Sequence, residues 1–176
     1  MVHLTENCPA LHIEPIDPRD LLIARQIHAV LLLAHAQEAM LLQIRHAHGL
    51  EQTPEDIQAS TEVYLGAFRG GDRGGALVGA VSLRPDDEPA QINVAALVVH
   101  PQYQRQGIGR ALMLEALRRG KGTNFSVATG VHNLPALALY RSLGFVEYRR
   151  GILEAEAIEL VKLRRLSPRA EPSVLC

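Results

Sequence analysis

Apolar and polar positions follow two different periods along this chain, and together they predict a layered α/β protein. Seven stretches show the alternation or the short apolar runs typical of strands. The predicted strands cover residues 11–16, 62–68, 76–84, 91–99, 125–129, 146–149 and 157–163, the last two as a closing hairpin. The predicted helices lie between them and cover residues 17–43, 54–60, 107–119 and 133–143. Because helices alternate with strands, we expect helices on both faces of one sheet.

Two of these helices begin with the same kind of start signal. In the first, Asp17 is the expected cap, Pro18 takes the first helical position and Asp20 the third. The sequence Thr-Pro-Glu-Asp at 53–56 repeats this signal before the short second helix. A glycine-rich loop at 69–75 is expected to be a mobile connection between two strands.

The segment 94–109 is the most informative part of the chain. An apolar strand at 94–99 leads through a short loop into a turn with glycines at 107 and 109, and a helix follows. Glycines let a ligand approach the backbone closely. The unpaired N–H groups and the dipole at a helix start attract negative charge. The segment therefore predicts an anion site, and a pyrophosphate suits it well.

Two common phosphate motifs do not match this segment. A dinucleotide-binding turn needs a glycine three residues after Gly109, where Leu112 stands. A P-loop needs a glycine five residues before Gly120, where Glu115 stands, and its lysine would not be followed by Gly122. The pattern that remains is Q-x-x-G-x-G over 104–109. By itself it fits either a phosphate site or a strand-to-helix turn without a ligand.

A second segment, 133–145, has the pattern N-x-x-A-x-x-L-Y-x-x-x-G-F. Asn133 is a good helix cap, Pro135 lies in the first turn, and Gly144 stands where a left-handed residue ends a helix. Alone, the segment describes a capped amphipathic helix. The two segments follow each other about 25 residues apart, and together they resemble the GCN5-related N-acetyltransferases, the GNAT family. The resemblance covers roughly residues 11–165 and is specific over 94–145.

The resemblance implies a mixed, mostly antiparallel sheet of six or seven strands, and acetyl-coenzyme A (acetyl-CoA) as co-substrate. The resemblance also allows a break in the first helix, because relatives usually have two helices before the second strand. The turn at 104–109 would hold the pyrophosphate, and the strand backbone at 97–99 would hold the pantetheine arm like an added strand. The implied cofactor-binding residues are Leu97, Val98, Val99, Gln104, Arg105, Gln106, Gly107, Ile108, Gly109, Arg110, Asn133 and Tyr140.

The same resemblance implies catalytic roles. Tyr140 would protonate the departing thiolate. Packing at a helix–sheet edge is the other explanation for this tyrosine. A backbone N–H at Leu97 or Val98 would stabilise the oxyanion. Asn133 would contact the cofactor arm, cap its helix, or do both.

The sequence does not identify a general base. Some relatives have a glutamate on the fourth strand, fourteen residues before the first motif glycine, and here that position is Asn93. Because an amide is not a base, this departure favours deprotonation through water. Glu62, His100 and His132 are the other candidates, and each is equally explained as an exposed polar residue. An acceptor amine of low pKa would need no base.

Composition narrows the partners and the compartment. The formal net charge is −1, which gives no support to nucleic-acid or membrane-surface binding. The longest apolar run, 29–34, is too short to span a bilayer, and the N-terminus does not resemble a secretion signal, so we expect a cytoplasmic protein. Cys8 and Cys176 do not form a disulfide framework. Residues 1–166 are expected to form one domain and 167–176 a flexible tail.

Other titratable clusters carry weaker signals. The histidines at 28, 35, 46 and 48 have no cysteine beside them, and the pair His35 and Glu38 lies on an apolar helix, so we expect no metal site. Basic residues around the third helix contact either solvent or the phosphates of coenzyme A. They are Arg105, Arg110, Arg118, Arg119 and Lys121.

These observations predict an acetyl-CoA-dependent N-acetyltransferase. It would act by direct attack in a ternary complex on a primary amine of a small molecule, a peptide or a protein. A non-catalytic sensor that binds acyl-CoA is the alternative, supported by Asn93 and opposed by Tyr140. A purely structural dimerising module is a third hypothesis. A homodimer is compatible with the enzyme as well, because relatives are often dimers.

Overall fold

A seven-stranded mixed sheet forms the centre of the computed structural model, which describes residues 10–42, 52–70, 75–153 and 158–168. The strands are β1 (Leu11–Ile16), β2 (Val63–Arg69), β3 (Ala76–Pro85), β4 (Gln91–Val99), β5 (Asn124–Gly130), β6 (Val146–Leu153) and β7 (Ile158–Arg165). Their order across the sheet is β1-β2-β3-β4-β5-β7-β6. Neighbours pair antiparallel except β4 and β5, which run parallel. The predicted mostly antiparallel sheet is confirmed.

Helices cover both faces of this sheet, as predicted. In the described part of the chain they are α1 (Leu21–Leu42), α2 (Pro54–Ala59), α3 (Ile108–Arg119) and α4 (Leu134–Ser142). Side chains alternate across a strand. The cross-strand partners Ala80 and Val98 therefore pack in the cluster of α1 and α2, whereas Val81 and its partner Leu97 pack in the cluster of α3 and α4.

The start of α1 differs from the prediction. Asp17 does not cap the helix, because its carboxylate accepts hydrogen bonds from the backbone N–H and the guanidinium of Arg19 in a preceding turn. Asp20 is the cap instead: its Oδ1 accepts from the N–H groups of Leu22 at 2.8 Å and Ile23 at 3.4 Å. From there α1 runs unbroken to Leu42, so the break usual among relatives does not occur in this helix.

The predicted caps at the start of α2 and at both ends of α4 are confirmed. Thr53 and Asp56 form a reciprocal capping box at the start of α2. The Asn133 side chain accepts from the backbone N–H of Ala136 at 3.3 Å and so caps α4. Gly144 follows α4 in the left-handed conformation, with φ of 84°.

The two parallel strands separate halfway along their length. β4 pairs with β5 only from Gln91 to Val94, whose partner is Val127. On its other side β4 stays paired with β3 as far as Val99. The second half of β4 therefore has an open edge toward β5, and a backbone edge of this kind accepts a further extended segment.

A buried polar cluster stabilises the sheet at the end where β4 and β5 are still paired. The Asp86 carboxylate, with 2% of its side chain exposed, accepts from Lys162 Nζ at 2.9 Å and Gln91 Nε2 at 3.0 Å, and also from the Ser126 hydroxyl. Burial alone would raise the pKa of Asp86, but these hydrogen bonds outweigh it and hold the pKa well below its usual range. The cluster joins the β3–β4 turn to β5 and β7.

Replacing Asp86 by asparagine is expected to destabilise the protein by about 2 kcal/mol, because Lys162, whose side chain is 20% exposed, loses its charged hydrogen-bond partner. The wild-type pKa is depressed, so this stabilisation is present above the carboxyl's ordinary pKa of 3.8 and is lost as the pH falls further. Urea unfolding at pH 7 measures the effect. Asp87→Asn, at an exposed neighbour, is the matched control, and equal stability of the two variants would contradict the role of the cluster.

Several sequence-based expectations lie outside the described residues. Most of the glycine loop (71–74), most of the tail (169–176), both cysteines and the histidines at 46 and 48 are among them. Within the described residues, none of the helices combines the length and apolarity needed to cross a membrane.

Candidate active site

A cavity of about 540 Å³ opens where β4 and β5 separate, between the start of α3 and the start of α4. We call it the α3 cavity. Its size lies within the roughly 300–1,000 Å³ usual for small-molecule sites. It is lined by Ala34, Gln37, Glu38, Leu97, Val99, Tyr103, Gln104, Arg105, Gly107, Ile108, Gly109, Arg110, His132, Asn133, Leu134, Pro135, Ala136 and Leu139.

Backbone donors at the start of α3 face this cavity. Gly107 is the N-cap, with φ of 80°, and no side chain caps the helix. The first intrahelical bond runs from the Ala111 N–H to the Gly107 carbonyl, so the preceding N–H groups have no partner within the helix. Together with the helix dipole they form a site for an anionic group.

The turn before α3 is held in shape from both sides. Gln104 Nε2 donates to the Val99 carbonyl at 3.1 Å and ties the turn to the end of β4. Arg105 has φ of 62°, a left-handed conformation that a residue with a side chain adopts at a cost. Such strain is typical of ligand-binding turns, where the surrounding structure holds the backbone in place.

Alternate backbone groups of β4 point into the open split. The N–H of His100 donates to the Val78 carbonyl of β3, and a β-carbon built on Gly79 would lie 3.0 Å from the Val98 carbonyl oxygen. Val98 therefore directs its backbone groups toward β3, and by alternation Leu97 directs its own toward β5. Of the two N–H groups considered for an oxyanion, the one at Leu97 faces the split.

A second cavity, of about 380 Å³, lies beneath α1, and we call it the α1 cavity. Glu38, Leu97, Asn133 and Ala136 border both cavities, so the two meet at the open edge of β4. Its full lining is Ile27, Leu31, His35, Glu38, Gln52, Glu62, Tyr64, Ala80, Ser82, Arg84, Ala95, Ala96, Leu97, Val98, Ala128, Thr129, Asn133, Ala136 and Tyr140.

Tyr140 reaches the α1 cavity from α4. Its residue surface is 6% exposed, and its ring centroid lies 5.8 Å from that of Phe145. Burial, with a smaller contribution from the charge of Glu38, raises the pKa of the phenol well above its usual value. The hydroxyl is therefore protonated over the whole neutral range and available as a hydrogen-bond donor.

Two predicted cofactor residues turn their side chains away from the α3 cavity. Gln106 is exposed, and its Nε2 donates to the Gln102 carbonyl at 3.3 Å. The Val98 side chain is buried in the core beneath α1. Tyr140 lines the α1 cavity and not the α3 cavity. The other predicted residues line the α3 cavity.

The candidate bases are scattered. Glu62 lines the α1 cavity, His132 lines the α3 cavity, and His100 lines neither. Asn93 also lies outside both cavities, and its Nδ2 donates to the Ser126 hydroxyl at 3.0 Å. The structure therefore brings one of the three predicted candidates, Glu62, into the α1 cavity, where Arg84 NH1 lies 3.9 Å from it.

The basic residues near α3 divide into two groups. Arg105 and Arg110 line the α3 cavity, where their charges favour an anionic ligand. Arg118 and Arg119 instead form ion pairs of 2.8 Å with Glu115, which lower the pKa of that carboxyl to about 2, with Arg118 contributing most. Lys121 lines neither cavity.

Two residues that the sequence did not suggest for catalysis line the cavities: Glu38 borders both, and His35 lines the α1 cavity. Glu38 Oε1 accepts from Asn133 Nδ2 at 2.8 Å, and Glu38 Oε2 lies 3.5 Å from His35 Nδ1. Among the residues that the structure describes, no group of three or more His, Cys, Asp or Glu side chains could hold a metal ion. In the sequence, the signal for His35 and Glu38 was a polar pair, three residues apart, on an otherwise apolar helix.

A mixed sheet that splits between its two parallel strands, with a glycine-capped helix at the split, places this protein in the N-acetyltransferase fold class. The chain belongs to the acetyltransferase (GNAT) family, whose family model matches residues 32–145. That match covers more than half of the chain and contains the open edge of β4, the α3 turn and α4.

The chain is also similar to curated proteins, one of which is named as an N-acetyltransferase. The chain is 33% identical over 134 residues to the UPF0157 protein YqkA of Bacillus subtilis, covering 76% of this chain and 37% of that protein. It is 36% identical over 102 residues to the N-alpha-acetyltransferase RimI of Mycobacterium tuberculosis, covering 56% of this chain and 65% of that protein. The chain thus spans between about one third and two thirds of these relatives.

A solved structure shows the same fold. The ribosomal-protein-S18-alanine N-acetyltransferase from Escherichia coli superposes with a TM-score of 0.69 at 17% identity. The superposition covers 94% of this chain and all of that one.

Proposed function

We propose that this protein is an acetyl-CoA-dependent N-acetyltransferase that acts on a primary amine. The observation that carries the proposal is the meeting of two cavities at Leu97, one of them lined by unpaired backbone donors and by two arginines. One cavity suits an anionic, elongated cofactor and the other an acceptor. Because they share a border, both substrates fit at the same time, and this supports direct attack in a ternary complex.

The residues of the α3 cavity fit acetyl-CoA in charge and shape. The N–H groups of Ile108 and Gly109, with Arg105 and Arg110 nearby, would hold the pyrophosphate. The open edge of β4 at 97–99 would hold the amide-containing arm by backbone hydrogen bonds, in the manner of an added strand. Acetyl-CoA, when bound, supplies a thioester whose acyl carbon is open to attack by an amine.

Two groups of the chain would serve the transition state. The Leu97 N–H faces the split and would donate to the developing oxyanion, which gives up its charge when the C–S bond breaks. The Tyr140 hydroxyl would donate its proton to the departing sulfur. A new C–N bond forms as the C–S bond breaks, one proton leaves the amine, and one reaches the sulfur.

For the acceptor we propose classes of amine and no single compound. Two of the relatives are named for transfer to protein amines, an N-alpha-acetyltransferase and an S18-alanine acetyltransferase. This supports the α-amine of a peptide or protein as the first class to test. Small-molecule primary amines are the second class, since the α1 cavity is open to either.

Incubation with acetyl-CoA and short peptides that begin with alanine is expected to release free thiol and to add one acetyl group per peptide. Thiol release and mass spectrometry measure the two products, and a panel of small primary amines is assayed in parallel. Acetyl-CoA binding by calorimetry without turnover of any amine would favour the sensor. The absence of binding would contradict the enzyme and the sensor alike.

A further inference from the structure

The last described turns of α1 place two titratable side chains in the α1 cavity, next to its border with the α3 cavity. His35 and Glu38 are three residues apart and therefore lie on the same face of the helix. His35 lines the α1 cavity with 17% of its side chain exposed, and Glu38 borders both cavities with 35% exposed. The proposed roles of Leu97 and Tyr140 do not involve either residue.

The Glu38 carboxylate is held by a different partner at each oxygen. Oε1 accepts from Asn133 Nδ2 at 2.8 Å, and Oε2 lies 3.5 Å from His35 Nδ1. Asn133 is itself oriented, because its side-chain oxygen accepts from the Ala136 N–H at the start of α4. A chain of contacts thus runs from the α4 backbone through Asn133 and Glu38 to the imidazole.

This arrangement selects one form of the histidine. A carboxylate oxygen beside Nδ1 favours the neutral tautomer with its hydrogen on Nδ1, and Nε2 then has a free lone pair. The neighbouring His35, followed by the Asn133 hydrogen bond, lowers the pKa of Glu38, so the carboxylate is ionised at neutral pH. A base oriented by a third group is the arrangement that proton abstraction requires.

Resting on the proposed acetyl transfer, we propose that His35 is the general base for the acceptor amine and that Glu38 is its positioning residue. Nε2 of His35 takes one proton from the amine as the amine nitrogen bonds to the acyl carbon. The C–S bond breaks, and the departing sulfur takes the Tyr140 proton. The imidazolium then loses its proton to solvent, and Tyr140 regains one from solvent, so the products are an amide and a thiol.

The other candidate bases fit the site less well than His35. Glu62 shares the α1 cavity, but its Oε1 lies 3.9 Å from the guanidinium of Arg84, so this carboxylate already faces a cation. His132 lines only the α3 cavity, on the side proposed for the cofactor, and His100 lines neither. Within the described residues, His35 is the candidate base on the acceptor side that has its own orienting partner, Glu38.

A pH–rate comparison tests the proposal. The groups that share the α1 cavity with His35 are Glu38 from α1, Glu62 just before β2, Tyr64 from β2, Arg84 near the end of β3 and Tyr140 from α4. His35→Gln, Glu38→Gln and the control His28→Gln are assayed with acetyl-CoA and the best acceptor found in the amine panel. His28 lies on α1 outside both cavities.

The wild-type kcat/KM is expected to rise from acidic to neutral pH, because a protonated base cannot accept the amine proton. In His35→Gln this rise with pH is expected to disappear. Its kcat/KM is expected to fall about 100-fold, within the range of general base catalysis. Glu38→Gln keeps the imidazole but loses its orienting carboxylate, so its kcat/KM is expected to fall by less than that of His35→Gln. His28→Gln behaves as wild type. Added imidazole is expected to restore part of the activity of His35→Ala, a rescue that a purely structural role would not show.

A second measurement does not depend on turnover. Nitrogen-15 correlation spectra of the histidine side chains are expected to show the Nδ1–H tautomer for His35 in the wild type and less of it in Glu38→Gln. The missing signal of His35→Gln assigns the resonance. A His35 found with its hydrogen on Nε2 overturns the proposal.

The outcomes separate this proposal from the one it rests on. If the wild-type protein acetylates no amine, the proposed function and this pair fail together. If the wild type is active and His35→Gln keeps the wild-type kcat/KM and its rise with pH, only the proposed roles of His35 and Glu38 are overturned. The proposed acetyl transfer then stands.

Discussion

Replacing Gly109 by leucine is expected to weaken acetyl-CoA binding strongly while the protein remains folded. A β-carbon at this position would lie 3.7 Å from side-chain atoms of Leu139 and Val99, which is ordinary contact. Atoms beyond the β-carbon would enter the space proposed for the pyrophosphate, beside the donors of α3. We expect a loss of roughly 100-fold in affinity, which corresponds to about 2.7 kcal/mol at 25 °C. Calorimetric titration with acetyl-CoA measures it.

The matched control is Gly109→Ala. Its methyl group fits the space available, and alanine is a better helix former than glycine by up to about 1 kcal/mol. This variant is therefore expected to bind acetyl-CoA nearly as well as the wild type and to melt at the same temperature or slightly higher. If the leucine and alanine variants bound the cofactor equally well, the cofactor site would not lie at the start of α3.

Replacing Tyr140 by phenylalanine is expected to lower kcat about 100-fold, within the range of general acid catalysis, with little change in acetyl-CoA affinity. The ring keeps its packing against Phe145, and only the hydroxyl donor is lost. Because burial raises the phenol pKa, the donor persists as the pH rises. Wild-type activity is therefore expected to show no loss from tyrosine ionisation up to pH 10. Steady-state kinetics across pH measure both effects.

Tyr148→Phe is the control for this substitution. Its hydroxyl donates to Glu88 Oε1 at 2.9 Å, outside both cavities. The variant is expected to have the wild-type kcat, since it removes a phenol from a remote part of the sheet. A Tyr140→Phe enzyme as fast as the wild type would remove the proton donor from the proposed mechanism and would leave packing as the function of this tyrosine.

Local features of the fold were predictable because they depend on neighbours in the chain. The capping box at Thr53, the cap at Asn133 and the left-handed Gly144 all follow from residue type and spacing, and all three are confirmed. The error at the start of α1 also has a local cause. Asp17 and Asp20 are both good caps, and the ion pair of Asp17 with Arg19 decides between them.

Side-chain direction was less predictable than position. The motif over 104–109 does not tell which of its residues face a ligand. In the structure Gln104 ties the turn to β4, and Gln106 points away from the α3 cavity. The strand pattern at 97–99 likewise leaves open which N–H faces the split, because that depends on the register with β3.

The sequence by itself determined the order of helices and strands and the glycine turn before α3, since both depend on short-range backbone preferences. It also indicated the family, through the two motifs at 104–109 and 133–145. Only the tertiary structure decided where β4 and β5 separate and which end of α1 meets α4. The contact between Glu38 and Asn133 joins residues 95 positions apart. Such a contact arises from the packing of helices on the sheet, and no pattern along the chain encodes it locally.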